Sequence, residues 1–349
     1  MDGRAMNQIR GWVVLFAVAA LAAGSAAGGE LFLTADQCMA CHNGLTDAAG
    51  TDISFGADWR GSMMANSARD PYWQAAVRRE TLMRPSASDA IQHECSKCHM
   101  PMSRFSSDKA TGNVFDHLPI VQRETAEDFL AADGVSCTVC HQIGDEKLGE
   151  DDSFSAGFVI DRSTPLGERN IYGPYAVDDG RKALMQSAGQ FRPTESAHVQ
   201  SSELCATCHT LFTHALGDNG EVLATFPEQV PYLEWRHSSY AGSNSCQSCH
   251  MPEVEGDTPI SSVLGEDRPN VSRHVFRGGN FFMPGILNRH RAELGVEAPA
   301  SDLAAVSSRT KTHLEASAAT LAIESTKVAN GRLVAELVST TATGHKLPT

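Results

Sequence analysis

The pattern Cys-x-x-Cys-His occurs five times in this chain of 349 residues and uses all ten of its cysteines. Two thiols three residues apart on one helical turn can each bond a haem vinyl group, while the next histidine reaches the iron. The sequence therefore predicts five covalently bound c-type haems. The predicted attachment residues are Cys38, Cys41, Cys95, Cys98, Cys137, Cys140, Cys205, Cys208, Cys246 and Cys249. The predicted proximal iron ligands are His42, His99, His141, His209 and His250.

Other uses of paired cysteines fit this pattern less well. A disulfide framework gives no reason for a histidine after every second cysteine. Zinc sites combine two pairs into one tetrahedral shell. A thioredoxin-like redox pair occurs once or twice and without the histidine. Haem attachment is favoured because five copies leave no cysteine over.

Residues 1–27 have the order of a secretory signal peptide. Arg4 and Arg10 precede an apolar run over residues 12–23, and small residues follow up to Ala27. The run is shorter than the approximately 20 apolar residues of a comfortable membrane span. We expect cleavage after Ala27, with an uncleaved anchor as the alternative. The expected location is the periplasm or the cell exterior, and we expect no transmembrane segment in the mature chain.

The formal net charge of −14 constrains the partners. An acidic surface argues against nucleic acid and against anionic lipid, because both are polyanions. We expect redox partner proteins that carry a basic docking patch. The alternative explanation is that the negative charge keeps an exported protein soluble.

We expect a mainly α fold with much irregular loop, forming a pentahaem cytochrome body over residues 28–300. Five haems would supply much of the apolar interior in a chain with only 7% aromatic residues. A helical pattern over residues 58–79 is interrupted by Pro71, and another covers residues 124–132. Residues 142–197 form a haem-free insertion, which we expect to be rich in loops.

The pattern of residues 301–349 predicts the start of a small, sandwich-like β region. Residues 321–326 and 332–339 alternate between apolar and polar side chains, and Asn330 and Gly331 between them form a strong hairpin signal. A lone hairpin is marginally stable in water. We therefore expect either that the chain continues in a longer protein or that the hairpin docks on the haem body.

Each haem iron needs an occupant for its sixth position. We select five distal ligand candidates from the histidines outside the motifs: His93, His198, His237, His274 and His345. We interpret the other four as surface or structural residues: His117, His214, His290 and His313.

Several segments resemble the exported multihaem cytochromes c related to cytochrome c554. These are residues 59–71 (Trp-Arg-Gly-Ser-Met-Met-Ala-Asn-Ser-Ala-Arg-Asp-Pro), 93–95, 202–209, 234–235, 246–252, 274–280 and 344–349. The resemblance covers nearly all of the mature chain and implies an electron carrier with closely packed bis-histidine haems. In the simpler family motif a histidine follows Trp-x-x-Ser, where this chain has Met64. Either Met63 or Met64 replaces that ligand, or both pack as core residues.

The function that we predict is electron transfer along five mostly bis-histidine haems, without catalytic residues. One alternative is an oxidoreductase that acts on a small nitrogen or sulfur species at one open haem. Tyr232, Arg236, His237 and Tyr240 would then supply the pocket. Another alternative is a subunit of a larger cytochrome complex or an oligomer.

Overall fold

The computed structural model describes residues 31–106, 113–217 and 220–347, so the predicted signal peptide lies outside the described residues. Its α-helices are α1 (Ala35–Met39), α2 (Phe55–Arg60), α3 (Pro71–Met83), α4 (Ser88–His99), α5 (Pro101–Ser106), α6 (Ala126–Ala132), α7 (Cys137–Cys140), α8 (Asp179–Gly189), α9 (Ser202–Ala206), α10 (Pro231–Arg236), α11 (Cys246–His250), α12 (Met283–Arg289) and α13 (Ala300–Ser317). Short 3₁₀ helices cover Ser67–Arg69, Pro85–Ala87, Val114–His117, Asp151–Ser153 and Ala197–Gln200.

The strands pair two by two into small sheets. They are β1 (Asn170–Gly173), β2 (Arg192–Glu195), β3 (Leu211–Leu216), β4 (Val222–Gln229), β5 (Thr258–Pro259), β6 (Asp267–Arg268), β7 (Ala319–Ala329) and β8 (Arg332–Thr341). β1 and β2 run parallel, and the pairs β3–β4, β5–β6 and β7–β8 are antiparallel.

The prediction of a mainly α, haem-organised body is wrong as a description of the fold. The described residues are 39% helix and 17% strand, which makes the fold mixed α/β. The β3–β4 hairpin was not expected, because Leu211–Leu216 and Val222–Gln229 lack the regular alternation of apolar and polar side chains that indicates a half-buried strand. The turn signal was present, since glycines at 217 and 220 flank the connection between the two strands.

The N-terminal ends of α3 and α6 are fixed by side-chain hydrogen bonds to backbone amides. α3 begins at Pro71, and the Asp70 side chain accepts hydrogen bonds from the amides of Tyr72 and Trp73. The helical pattern predicted over residues 58–79 is confirmed only from Pro71 onwards, because α2 ends at Arg60 and only a short 3₁₀ helix, Ser67–Arg69, lies between. α6 begins with a capping box in which Thr125 and Asp128 bond each other's backbone amides.

The apolar interior of the described residues is divided into seven separate clusters. The largest is built from α3, α4, α6 and their connections, with Trp73, Val77 and Met100 among its members. Fully burying one such side chain stabilises a fold by about 1.5–3 kcal/mol. The short elements therefore depend on local packing against the motif-bearing segments rather than on one continuous core.

β7 and β8 form the hairpin that the sequence predicts, with Asn330 at φ 52° and Gly331 at φ 71° in its turn. Positive φ at both central residues is the geometry of a tight hairpin turn. Large apolar side chains of both strands, such as Leu321 and Leu333, are mostly exposed. In the part of the chain that the structure describes, no helix has the length and apolar character needed to cross a bilayer.

Candidate haem-attachment sites

All five motifs lie on a single helical turn or at the end of a short helix. The amides of His42, His141 and His209 donate to the carbonyl of the first cysteine of their own motif, at 3.0, 3.1 and 2.9 Å. This turn places the two thiols of each motif on one side of the helix. All ten cysteines are free thiols.

Four of the five motif histidines have Nδ1 anchored to a backbone carbonyl. The bonds join His42 to Ile260 (2.6 Å), His99 to Ser67 (3.1 Å), His141 to Tyr172 (2.6 Å) and His250 to Arg277. A carbonyl only accepts, so Nδ1 carries the proton and Nε2 presents a lone pair. Metal-binding imidazoles are oriented in this way. The donor set therefore fits haem iron at these four motifs.

The buried surroundings of the motif imidazoles favour their neutral form. Burial lowers the pKa of all five below the usual histidine value. Only neutral imidazole can ligate a metal. The fifth ring, His209, differs from the others because its Nδ1 faces the Gln229 side-chain amide, at 3.4 Å.

Thiols of different motifs meet in three places. The Cys137 thiol lowers the pKa of Cys38, the Cys208 thiol lowers the pKa of Cys98, and the Cys205 thiol lowers the pKa of Cys246, so each pair lies close together. The first motif thus lies beside the third, the second beside the fourth, and the fourth beside the fifth. Cys140 also acts electrostatically on Cys205 and Cys208, which connects the third motif to the fourth. The five motifs form one connected cluster, and their order in space differs from their order in the sequence.

Two distal candidates lie at ligand distance from a motif histidine. A metal–imidazole bond is about 2 Å long and the ring centroid lies about 1.1 Å behind the nitrogen, so two trans ligands have centroids about 6.2 Å apart. The His141 and His274 centroids are 6.2 Å apart with planes within 20°, and those of His250 and His345 are 6.2 Å apart with planes within 13°. The third and fifth motifs therefore each have a matching second imidazole.

Both matching rings are held in place by their surroundings. Nδ1 of His274 lies 3.2 Å from the Ser272 carbonyl, and Nδ1 of His345 lies 2.9 Å from the Lys346 carbonyl. Burial, with a smaller effect of His141, lowers the pKa of His274 to about 3. The segment of His345 is fixed to α10, because the Lys346 amide donates to Glu234 at 2.8 Å.

No ring contact in the described residues joins the other three distal candidates to a motif histidine, and His198 is the one of the three that lowers the pKa of His141. Nε2 of His93 lies 2.8 Å from Arg104. His198 uses both ring nitrogens, Nδ1 with Ser196 at 2.6 Å and Nε2 with the Ile143 carbonyl at 2.7 Å. His237 is exposed at the end of α10.

The methionine candidates have structural contacts. Met63 packs against the cluster around Met283 and Leu287. The carbonyl of Met64 accepts from the Val135 amide at 3.0 Å, just before the third motif. These contacts tie the segment to the third motif and leave Met64 half-buried.

Two histidines outside the set of distal candidates, His313 and His117, have specific partners. The ring of His313 lies 6.4 Å from that of His250, at an angle of 66°. His117 bonds Asp128 through Nδ1 at 2.8 Å. The sequence carried no signal for His313, because its approach to the fifth motif depends on how α13 packs.

The residues suggested for an enzyme pocket are occupied in packing. The Tyr232 hydroxyl donates to Glu203 at 3.0 Å, and burial together with Glu203 raises the pKa of Tyr232 to about 12. Arg236 lies over the Tyr232 ring, and the Tyr240 hydroxyl donates to the Ala342 carbonyl at 2.9 Å. These side chains stabilise α10 and the segment of His345.

Comparisons of the chain with protein-family models, curated proteins and solved structures gave no match. Within residues 31–106, 113–217 and 220–347, no three histidine, cysteine or acidic side chains converge on a point where they would hold a metal ion.

Proposed function

We propose that this chain is an exported multihaem c-type cytochrome, related to the cytochrome c554 group, that carries electrons along five covalently bound haems. The periplasm or the cell exterior is the proposed location. The observation that carries the proposal is the backbone anchoring of four motif histidines, which leaves Nε2 free at each. The contiguity of the five motifs supports a chain of haems rather than isolated sites.

The residues of the chain hold the redox centres rigidly. When bound, each haem supplies a one-electron iron couple. The paired thiols would fix each haem to its helical turn, and the Nδ1 hydrogen bonds hold the motif imidazoles in one orientation. His274 and His345 would supply the second imidazole at the third and fifth motifs. Imidazoles held in this way would move little between the two oxidation states.

The contacts between motifs define the proposed route. Thiol contacts lead from the first motif to the third, and the electrostatic contact leads on to the fourth. The second and fifth motifs adjoin the fourth. In the proposed route the fourth motif therefore adjoins the second, third and fifth, and the first motif adjoins the third. The acidic surface favours partners with a basic docking patch.

Haem counting tests the proposal. The chain is expressed in a host with a c-type haem maturation system, and haem per chain is measured as the pyridine haemochrome. We expect five haems, and four in the double variant Cys137→Ser/Cys140→Ser. The same chain from a host without the maturation system is the control, and it should carry none. A chain that matures without covalent haem would contradict the proposal.

A second function is favoured by one observation at the fourth motif. Among the ring contacts of the described residues, none brings a second imidazole to His42, His99 or His209, and His209 alone of the five has an Nδ1 that faces an amide group rather than a carbonyl. An iron with one open side there would bind a small nitrogen or sulfur species. A high-spin ferric signal that disappears in Cys205→Ser/Cys208→Ser would favour this enzyme function over a pure carrier.

A further inference from the structure

A cavity of about 370 Å³ lies between α13 and the segment around Arg273 and Arg277. Three arginines and one histidine line it, and no carboxylate does: Arg273, Arg277, Arg309 and His313. We call these four residues and the space between them the cationic cavity.

The positive charge of the cationic cavity is only partly balanced. Asp58, whose side chain is 5% exposed, pairs with Arg273 at 2.8 and 2.7 Å and lies 3.8 Å from Arg309. Asp58 thus serves two guanidinium groups, with weaker electrostatic support from Asp52 and Asp47 at Arg273 and from Asp302 at Arg309. No carboxylate in the described part of the chain forms an ion pair with Arg277. A surplus of half-buried cations is costly in a protein unless an anion joins them.

The cavity adjoins the fifth motif directly. The carbonyl of Arg277 accepts from Nδ1 of His250, and its Nε donates to the Cys249 carbonyl at 2.7 Å. His313 brings its ring to within 6.4 Å of the His250 ring. The guanidinium of Arg277 is therefore held beside the cofactor position that we propose for this motif.

We propose that the cationic cavity binds a carboxylate-like anion through the guanidinium groups of Arg277 and Arg309. Planar guanidinium groups bind planar carboxylate or oxyanion groups through paired hydrogen bonds. The anion has two possible sources, which are the propionates of the haem at the fifth motif and a free oxyanion such as nitrite. With the first source, the inference rests on the proposed function.

The test uses the holoprotein after its haem content has been confirmed as five. The two cavity variants are Arg277→Gln and Arg309→Gln. The matched control is Arg332→Gln, which removes one positive charge from the exposed strand β8. A redox titration measures the reduction potential of each haem. EPR spectra record the effect of adding nitrite. If the propionates are the anion, removing a neighbouring cation disfavours reduction of one haem threefold to tenfold, which is up to about 59 mV for one electron. Nitrite then has no effect.

If a free oxyanion is bound, nitrite changes the EPR signal of one haem in the wild type, and the change is lost in both cavity variants. Arg277→Lys keeps the charge and should recover part of either effect. If Arg277→Gln binds fewer than five haems, Arg309→Gln provides the test instead, because Arg309 does not contact the fifth motif. Five haems with potentials and nitrite response equal to those of Arg332→Gln would overturn this inference and leave the proposed function intact. Fewer than five haems in the wild type would contradict the proposed function itself.

Discussion

At the scale of single residues, the hydrogen bond at Nδ1 is what distinguishes a ligand from an ordinary histidine. His274 and His345 each lie 6.2 Å from a motif ring, centroid to centroid, while a backbone carbonyl holds Nδ1 and leaves the lone pair on Nε2. His198 has both nitrogens engaged and so offers no lone pair. The motif residues followed from spacing alone. The distal residues did not, because a ligand across an iron is set by packing between distant segments.

His274→Ala should open the iron at the third motif. The side chain lies 6.2 Å from His141, centroid to centroid, and we identified no other imidazole as a replacement there. We expect one of the five ferric haems to change from low-spin to high-spin in the EPR spectrum. His290→Ala, at an exposed ring bonded to Glu293, is the control and should leave the spectrum unchanged. Five low-spin haems in His274→Ala would refute the assignment.

His345 and His313 compete for the fifth motif, and a matched pair of variants separates them. Both rings lie close to His250, at 6.2 and 6.4 Å. We expect His345→Ala to give one high-spin haem, because the Lys346 carbonyl orients the His345 ring. His313→Ala should stay fully low-spin. The reverse result would make His313 the ligand.

At the scale of elements, the short helices are positioned by their caps and by close backbone contacts. The break at Pro71 and the start of α6 could be predicted, because proline and capping residues act locally. The β1–β2 and β3–β4 pairs could not be predicted from such local signals. β1 and β2 are parallel and separated by α8, so their pairing depends on non-local contacts.

At the scale of elements, Gly134 occupies a position that should not tolerate a side chain. Its φ is +64°, and a Cβ there would lie 2.6 Å from the Met64 carbonyl oxygen. We expect Gly134→Ala to lower the free energy of unfolding by about 2–4 kcal/mol, since both backbone strain and a clash contribute. Gly242→Ala is the matched control, because Gly242 also has positive φ (+78°) but has open space around it. If Gly134→Ala and Gly242→Ala unfold at the same urea concentration, the clash at Gly134 does not contribute to stability.

The capping carboxylate of α6 should make stability depend on pH. Burial by itself raises the pKa of Asp128, but hydrogen bonds from His117 and Thr125 outweigh it and hold the pKa well below its usual range. A depressed pKa adds stability above the unfolded value, about 3.9. That contribution is lost as the pH falls through the folded pKa.

Asp128→Asn should therefore lower the free energy of unfolding by about 1–2 kcal/mol at pH 7. The difference from the wild type should shrink as the pH falls below about 3.9. Urea titrations at a series of pH values measure it. A difference that stays constant down to the lowest pH at which the wild type folds would show that the ionised carboxylate contributes nothing.

At the scale of the whole molecule, seven small clusters and five adjoining motifs replace a single core. The sequence predicted the number of motifs, because cysteine spacing is a local property. It did not predict which motifs adjoin, because neither the contact between the first and third motifs nor that between the second and fourth follows chain order. It also misjudged the share of strand, because small sheets of two strands carry a weak pattern.

The most direct test of the account is a low-temperature EPR spectrum of the oxidised, haem-matured protein, with its spins integrated per chain. The proposed carrier function predicts five low-spin ferric haems, which requires a second axial ligand at the first, second and fourth motifs besides His274 at the third and His345 at the fifth. Absence of ferric haem signals would contradict the assignment of the motifs. A stoichiometric high-spin signal that shifts with nitrite would contradict the carrier function and place a reaction at one open iron.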